Sequence, residues 1–200
     1  TLFTKLFSSA STTMLGREYA GKDERKDYDQ PNVCLYGSTV PGTLYQGLTP
    51  SDISNGFLSR MLVFTASNPD PDPRDDLEAP PPPPALVEKL KAWHAYTPEP
   101  PEGTGDIAAM LRVWPAVCEV DDDAAAVFKT FREQARKHKA KVRGDRGLDS
   151  LWARAAERAW KIALVGSCGE AGQAVVIGRD VASYAVELTE RLVRGLVLAV

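Results

Sequence analysis

With 200 residues, 44% of them hydrophobic, the chain is long enough for one ordinary domain or two small ones and too apolar to be a disordered tail. It has no run of about 18 apolar residues, which excludes a membrane-spanning helix. A net charge of −3 argues neither for nor against a nucleic-acid partner, but residues 1–120 are net acidic and residues 121–200 net basic.

Taken in order, residues 2–9 are short and apolar, the end of a helix. Residues 22–30 (KDERKDYDQ) are charged at nearly every position without a period, which predicts a solvated loop. Residues 32–38 (NVCLYGS) follow Pro31 and form a compact apolar run, predicting a buried strand. Pro41 then opens a short helix over 42–48, since a first-turn proline loses no hydrogen bond. Thr49-Pro50-Ser51-Asp52 signals a second helix start, and Asn55-Gly56 a turn. Residues 57–66 (FLSRMLVFTA) are a second strand candidate, so the N-terminal segment reads as α/β with buried strands.

Residues 67–84 are predicted to be a stiff extended linker: Asn-Pro-Asp-Pro-Asp-Pro is followed by five prolines at 80–84, each with fixed φ and no N–H. Beyond it the chain reads as a mainly helical module, 85–200. Helices are predicted over 85–96, 121–142, 148–167 and 179–200, a loop over 98–105, an extended stretch over 110–120 and a short strand or turn at 175–177. In the second helix Ala124, Phe128, Phe131, Ala135 and His138 share one face. Asp121, Asp122 and Asp123 stand at its start, where the helix dipole favours negative charge and a cap is expected rather than a cation site. Both ends of the sequence read as cut: residue 1 is Thr, and the last helix carries no stop signal.

The three cysteines, Cys34, Cys118 and Cys168, are an odd and widely spaced set. They predict reduced thiols in or near the core, in a cytoplasmic protein. There is no GxxxxGK[ST] loop, HExxH or GxSxG. His94 and His138 are isolated from other ligand types, so no metal site is assigned. Three features bear on chemistry. Ser38 and Thr39 stand where the first strand ends, where α/β sheets receive ligands; a plain capped turn is the alternative. Arg60 lies in an apolar run, where an arginine is costly without a role or a partner; it suits either a phosphoryl-transfer charge or a carboxylate at the strand edge. Lys129, Arg132, Arg136 and Lys139 line one side of a helix within the basic run 129–146. They suit phosphate contacts or form an ordinary solvated face.

Residues 32–41 (NVCLYGSTVP), 44–48 and 55–64 (NGFLSRMLVF) together resemble the last core strands of the RecA-like ATPase region in phage and plasmid primase–helicase proteins. In that family a strand ending in Gly-(Ser/Thr)-x-x-Pro precedes a helix and a Gly-Phe-x-x-Arg run. The resemblance continues through the helix at 123–136, the alanine-rich WARAAERAWKIAL at 152–164, and the helix after Ile177-Gly178-Arg179-Asp180, so it spans most of the chain in order. It implies that residues 1–66 are the C-terminal part of a RecA-like ATPase core. The whole would be an ATP- and Mg-dependent, oligomeric DNA replication protein acting on DNA, single-stranded by expectation. Ser38 and Thr39 would sit at the nucleotide-sensing strand end, and Arg60 would reach a neighbouring subunit's phosphates. The family's phosphate loop and metal-binding acid have no counterpart in this sequence, so the piece alone is expected to bind no cofactor and to be inactive. The rival expectations are a non-catalytic helical module for DNA binding or oligomerisation, and a small enzyme of unknown class.

Overall fold

The computed structural model describes residues 5–6, 12–15, 27–66, 80–100, 103, 105, 114–145, 147–171 and 175–199. The predominantly helical fold read from the sequence holds. The chain forms two compact units. The first comprises residues 1–63, 132–158 and 189–200; the second comprises residues 64–131 and 159–188.

The first unit opens with two short strands, β1 (Thr13–Met14) and β2 (Tyr28–Asp29). They pair antiparallel, Thr13 opposite Asp29 and Met14 opposite Tyr28, and the Thr13 hydroxyl donates to the Asp29 carboxylate. Helix α1 (Pro41–Gly47) and helix α2 (Pro50–Ser54) follow, then a 3-10 turn, Leu58–Arg60. Both helices carry proline in the first turn, where no N–H partner is lost. Pro50 starts α2 behind a full capping box. The Thr49 hydroxyl accepts from the Asp52 N–H, and the Asp52 carboxylate accepts from the Thr49 N–H. The sequence signal TPSD therefore forms as read.

The second unit holds helix α3 (Pro84–Ala95) and a parallel bridge between β3 (Glu119–Val120) and β4 (Val176–Ile177), with Glu119 opposite Val176 and Val120 opposite Ile177. Three long helices are shared by residue range. Helix α4 (Asp122–Lys141) begins in the second unit and ends in the first. Helix α5 (Asp149–Ala153) lies in the first, α6 (Ala155–Ala171) runs from the first into the second, and α7 (Arg179–Ala199) from the second into the first. Asp121 caps α4 through its carboxylate, which accepts from the Ala124 N–H at 2.6 Å, as the acidic triplet predicts. In this unit Ala159, Ala163, Ala182 and Ala185 are fully buried. Phe128 stacks on Trp160 with ring centroids 3.9 Å apart, which accounts for the apolar face of α4. Helix α3 is tied down by Lys89 Nζ donating to the Gly169 carbonyl and Trp93 Nε1 donating to the Cys168 carbonyl.

Three expectations are corrected. Residues 32–40 form no strand. They carry no regular structure and are exposed, with Leu35 at 65% and Tyr36 at 99%, and Cys34 is exposed with them rather than near the core. Residues 57–66 form no strand either. The turn Leu58–Arg60 occupies their first part, and 61–66 are unpaired. A strand apolar on both faces needs neighbours at both edges, and no strand among the described residues offers its edge to these runs. The Asn55-Gly56 turn instead holds the backbone in tight bonds, Arg60 N–H to the Phe57 carbonyl and Met61 N–H to the Leu58 carbonyl. The helix predicted over 148–167 is broken at Arg154 (φ −105°, ψ 0°) into α5 and α6. Most of the predicted helix at 2–9, residues 22–26 of the predicted loop, residues 110–113 of the predicted extended stretch and residues 67–79 of the linker lie outside the described residues.

Candidate functional site

The best-built candidate site belongs to the first unit and centres on the turn that carries Arg60. Helix α2 ends at Asn55, whose side-chain oxygen accepts from the Phe57 N–H at 2.9 Å. Gly56 has φ +77°, a conformation that costs any residue with a Cβ. The Gly56 carbonyl then accepts from two side chains, Ser59 Oγ at 2.8 Å and Arg60 Nη1 at 2.7 Å. Leu58, with no exposed surface, anchors the turn. From α5, Ser150 Oγ donates to the Ile53 carbonyl at 2.7 Å. Gly147, also left-handed at φ +79°, passes so close to Ser54 that a Cβ there would lie 3.1 Å from its Cα. The Arg60 backbone is thus held on both sides.

Arg60 itself is half-buried. Burial pushes its guanidinium below its ordinary range; the charge of Arg154 adds to this and Glu157 opposes it. Arg154 Nη1 donates to Glu157 Oε2 at 2.7 Å. One turn further along α6, Arg158 is only 3% exposed. Its Nε donates to the Ser59 carbonyl at 2.8 Å, while Nη1 and Nη2 are buried with no hydrogen-bond acceptor among the described residues. Burial pushes the Arg158 guanidinium down to about 10, so it stays charged at neutral pH.

The other residues singled out from sequence stand apart from this cluster. Ser38 and Thr39 are exposed in the irregular stretch 31–40, and no hydrogen bond links either of them to Arg60. Lys129, Arg132, Arg136 and Lys139 are all exposed on α4, without an ion pair to any described residue, while Phe128, Phe131 and Ala135 on the same helix are buried. Arg132, Arg136 and Lys139 belong to the first unit and Lys129 to the second. Arg146, the end of the basic run, lies outside the described residues. No group of three or more His, Cys, Asp or Glu side chains among the described residues could hold a metal ion.

One feature was missed in the sequence and a second was read only in part. Arg158 falls on the buried stripe of α6, between Ala155 and Ala159; an arginine at that heptad position of an alanine-rich face was the available signal. His138 stacks on Trp152 at 4.5 Å, with Arg194 Nη2 3.4 Å from its Nε2 and a salt bridge from Arg194 to Glu190. His138 is half-buried and packs its ring against Trp152.

No protein-family description, curated protein or solved structure matches this chain.

Proposed function

We propose that this chain is the C-terminal part of an ATP-dependent DNA replication protein of primase–helicase type, of phage, plasmid or prophage origin. The observation that carries this reading is the state of 31–40 and 61–66. Both are rich in β-branched, aromatic and aliphatic residues, both lack regular structure, and both leave large apolar side chains exposed, including Leu35, Tyr36, Val40, Leu62 and Phe64. Exposed apolar segments of strand composition suit a sheet whose other strands lie elsewhere in the protein. On joining that sheet, residues 32–38 would have to take up the strand form they lack here, bringing Ser38 and Thr39 beside the nucleotide, while Arg60 is supported by the Asn55–Gly56 turn. ATP and Mg would be bound by a phosphate loop and an acidic residue that this sequence lacks. The part played here is charge stabilisation: a rigidly held guanidinium offered to the transferring phosphoryl group of a neighbouring subunit in the oligomer.

The test is Arg60→Ala in the full-length protein. ATP turnover should fall by roughly 10³-fold or more, with the thermal unfolding midpoint little changed. Unchanged turnover in a folded variant would make Arg60 structural and sink the reading.

A second reading, a non-catalytic helical module that binds DNA or drives oligomerisation, draws on the exposed basic side of α4. Arg132, Arg136 and Lys139 lie within two turns and have no carboxylate partner among the described residues. Binding of a fluorescent single-stranded oligonucleotide by this chain should weaken steeply with salt. Replacing all three with Glu should abolish it at low salt. Affinity that survives the triple replacement would remove this surface from consideration.

A further inference from the structure

Arg158 presents a problem that the proposed ATPase role does not address. A guanidinium has five N–H donors in a planar fork. Here one donor is used, by the Ser59 carbonyl, and the four on Nη1 and Nη2 are buried without an acceptor among the described residues. Such a charge is retained in a fold at a cost unless something supplies its acceptors. The neighbourhood indicates what that is. Arg60, on the turn that Arg158 grips, and Arg154, one helical turn before it, add two positive charges, and Glu157 is the carboxylate that faces Arg60 and Arg154. Phosphate oxygens match the guanidinium fork in pairs, and the positive charges of Arg60 and Arg154 nearby favour an anion there.

We propose that Arg158 is a receptor for a phosphoryl oxyanion at the junction between the turn Leu58–Arg60 and the first turn of helix α6. Entry requires the turn to shift, since the Nη atoms are covered. The turn is held by buried Leu58 and by the Gly56 carbonyl, so binding must outweigh the loss of those contacts. Occupancy would then hold the turn, and with it Arg60, in the shifted position. The inference stands on Arg158 and its surroundings and does not depend on the ATPase reading, because the same site would serve a DNA replication protein or a binding module.

The experiment is thermal unfolding of the 200-residue chain in increasing inorganic phosphate, with sodium chloride at matched ionic strength and sodium acetate as comparisons. Phosphate also stabilises proteins generally by exclusion from their surface, an effect that rises without saturating, whereas site binding saturates. The wild-type midpoint should rise saturably with phosphate, and acetate should not reproduce the rise. Arg158→Met should unfold at a higher temperature than wild type in chloride and keep only the unsaturating response. Arg158→Lys retains the charge without the fork, and its saturable response should be weakened at least tenfold in apparent affinity. Phosphate titrated by ³¹P line broadening provides a second readout that needs no stability change. A saturable response that persists in Arg158→Met or is undiminished in Arg158→Lys, or a wild-type response without saturation or line broadening, would overturn the proposal. A saturable acetate response equal to that of phosphate would overturn its assignment to a phosphoryl group.

Discussion

Gly56 is the residue on which the candidate site turns. Its φ of +77° and the 2.7 Å that would separate a new Cβ from Arg60 Nη1 act together. Gly56→Ala should therefore cost roughly 1–2 kcal/mol of stability from the backbone alone and displace the Arg60 head group as well. The midpoint of urea unfolding reads the first effect, and the pH-independent chemical shift of Arg60 Nε–H by NMR reads the second. The Asn-Gly pair was legible in the sequence because turn chemistry is local, as was the Thr49–Asp52 capping box. Thr49 hydrogen bonds hold the Asp52 carboxyl below its ordinary range, another short-range effect. Arg158 was not legible. An arginine on a helix normally extends its stem over apolar surface and keeps its charge in water, and only tertiary packing shows that this one is shut in. A guanidinium lowered from its ordinary range to about 10 corresponds to a penalty on the order of 3 kcal/mol. The penalty is present in full below pH 10 and relieved as pH rises from there towards the unfolded value, because the unfolded chain then holds the proton more tightly.

At the level of elements, helices were read well and strands poorly, for a common reason. The helical period is a property of one segment, so α3, α4 and α7 fall close to their predicted bounds. The interruption at Arg154 escaped notice because nothing in ARAAERA departs from helical composition. Strand formation depends on a partner that a single segment cannot specify, and the apolar runs at 32–38 and 57–66 find none among the described residues. The short strand at 176–177 and the extended stretch that ends in Glu119–Val120 were anticipated, though their pairing was not. Helix α4 offers a sharp check on packing: Phe128 is 3% exposed and stacked on Trp160. Phe128→Ala should destabilise the chain by about 3–5 kcal/mol, measured by chemical unfolding, and should alter the near-ultraviolet circular dichroism of Trp160. A loss under 1 kcal/mol would mean that the pair does not form.

For the molecule as a whole, the decisive property is how much apolar surface it leaves uncovered. Tyr36, Val40, Leu35 and Phe64 are each more than half exposed, and patches of that kind drive association. The chain on its own should self-associate at micromolar concentration in sedimentation velocity. Leu35→Lys with Phe64→Lys should restore a monomer without changing its helical circular dichroism. A monodisperse wild-type monomer would count against the idea that these segments await a sheet.

The parallel bridge between β3 and β4 also bears on the order of folding. Cys118 Sγ meets the Val175 carbonyl, 57 positions further along the chain, at 3.2 Å. Parallel pairs cannot be closed by a tight hairpin, so the chain must first spend the entropy of closing a long loop. Helices α4 and α6 form within that loop from local contacts, long before its ends meet. The bridge is therefore a late event in acquiring the native state, and weakening it would mainly hasten unfolding and leave the rate of refolding nearly untouched.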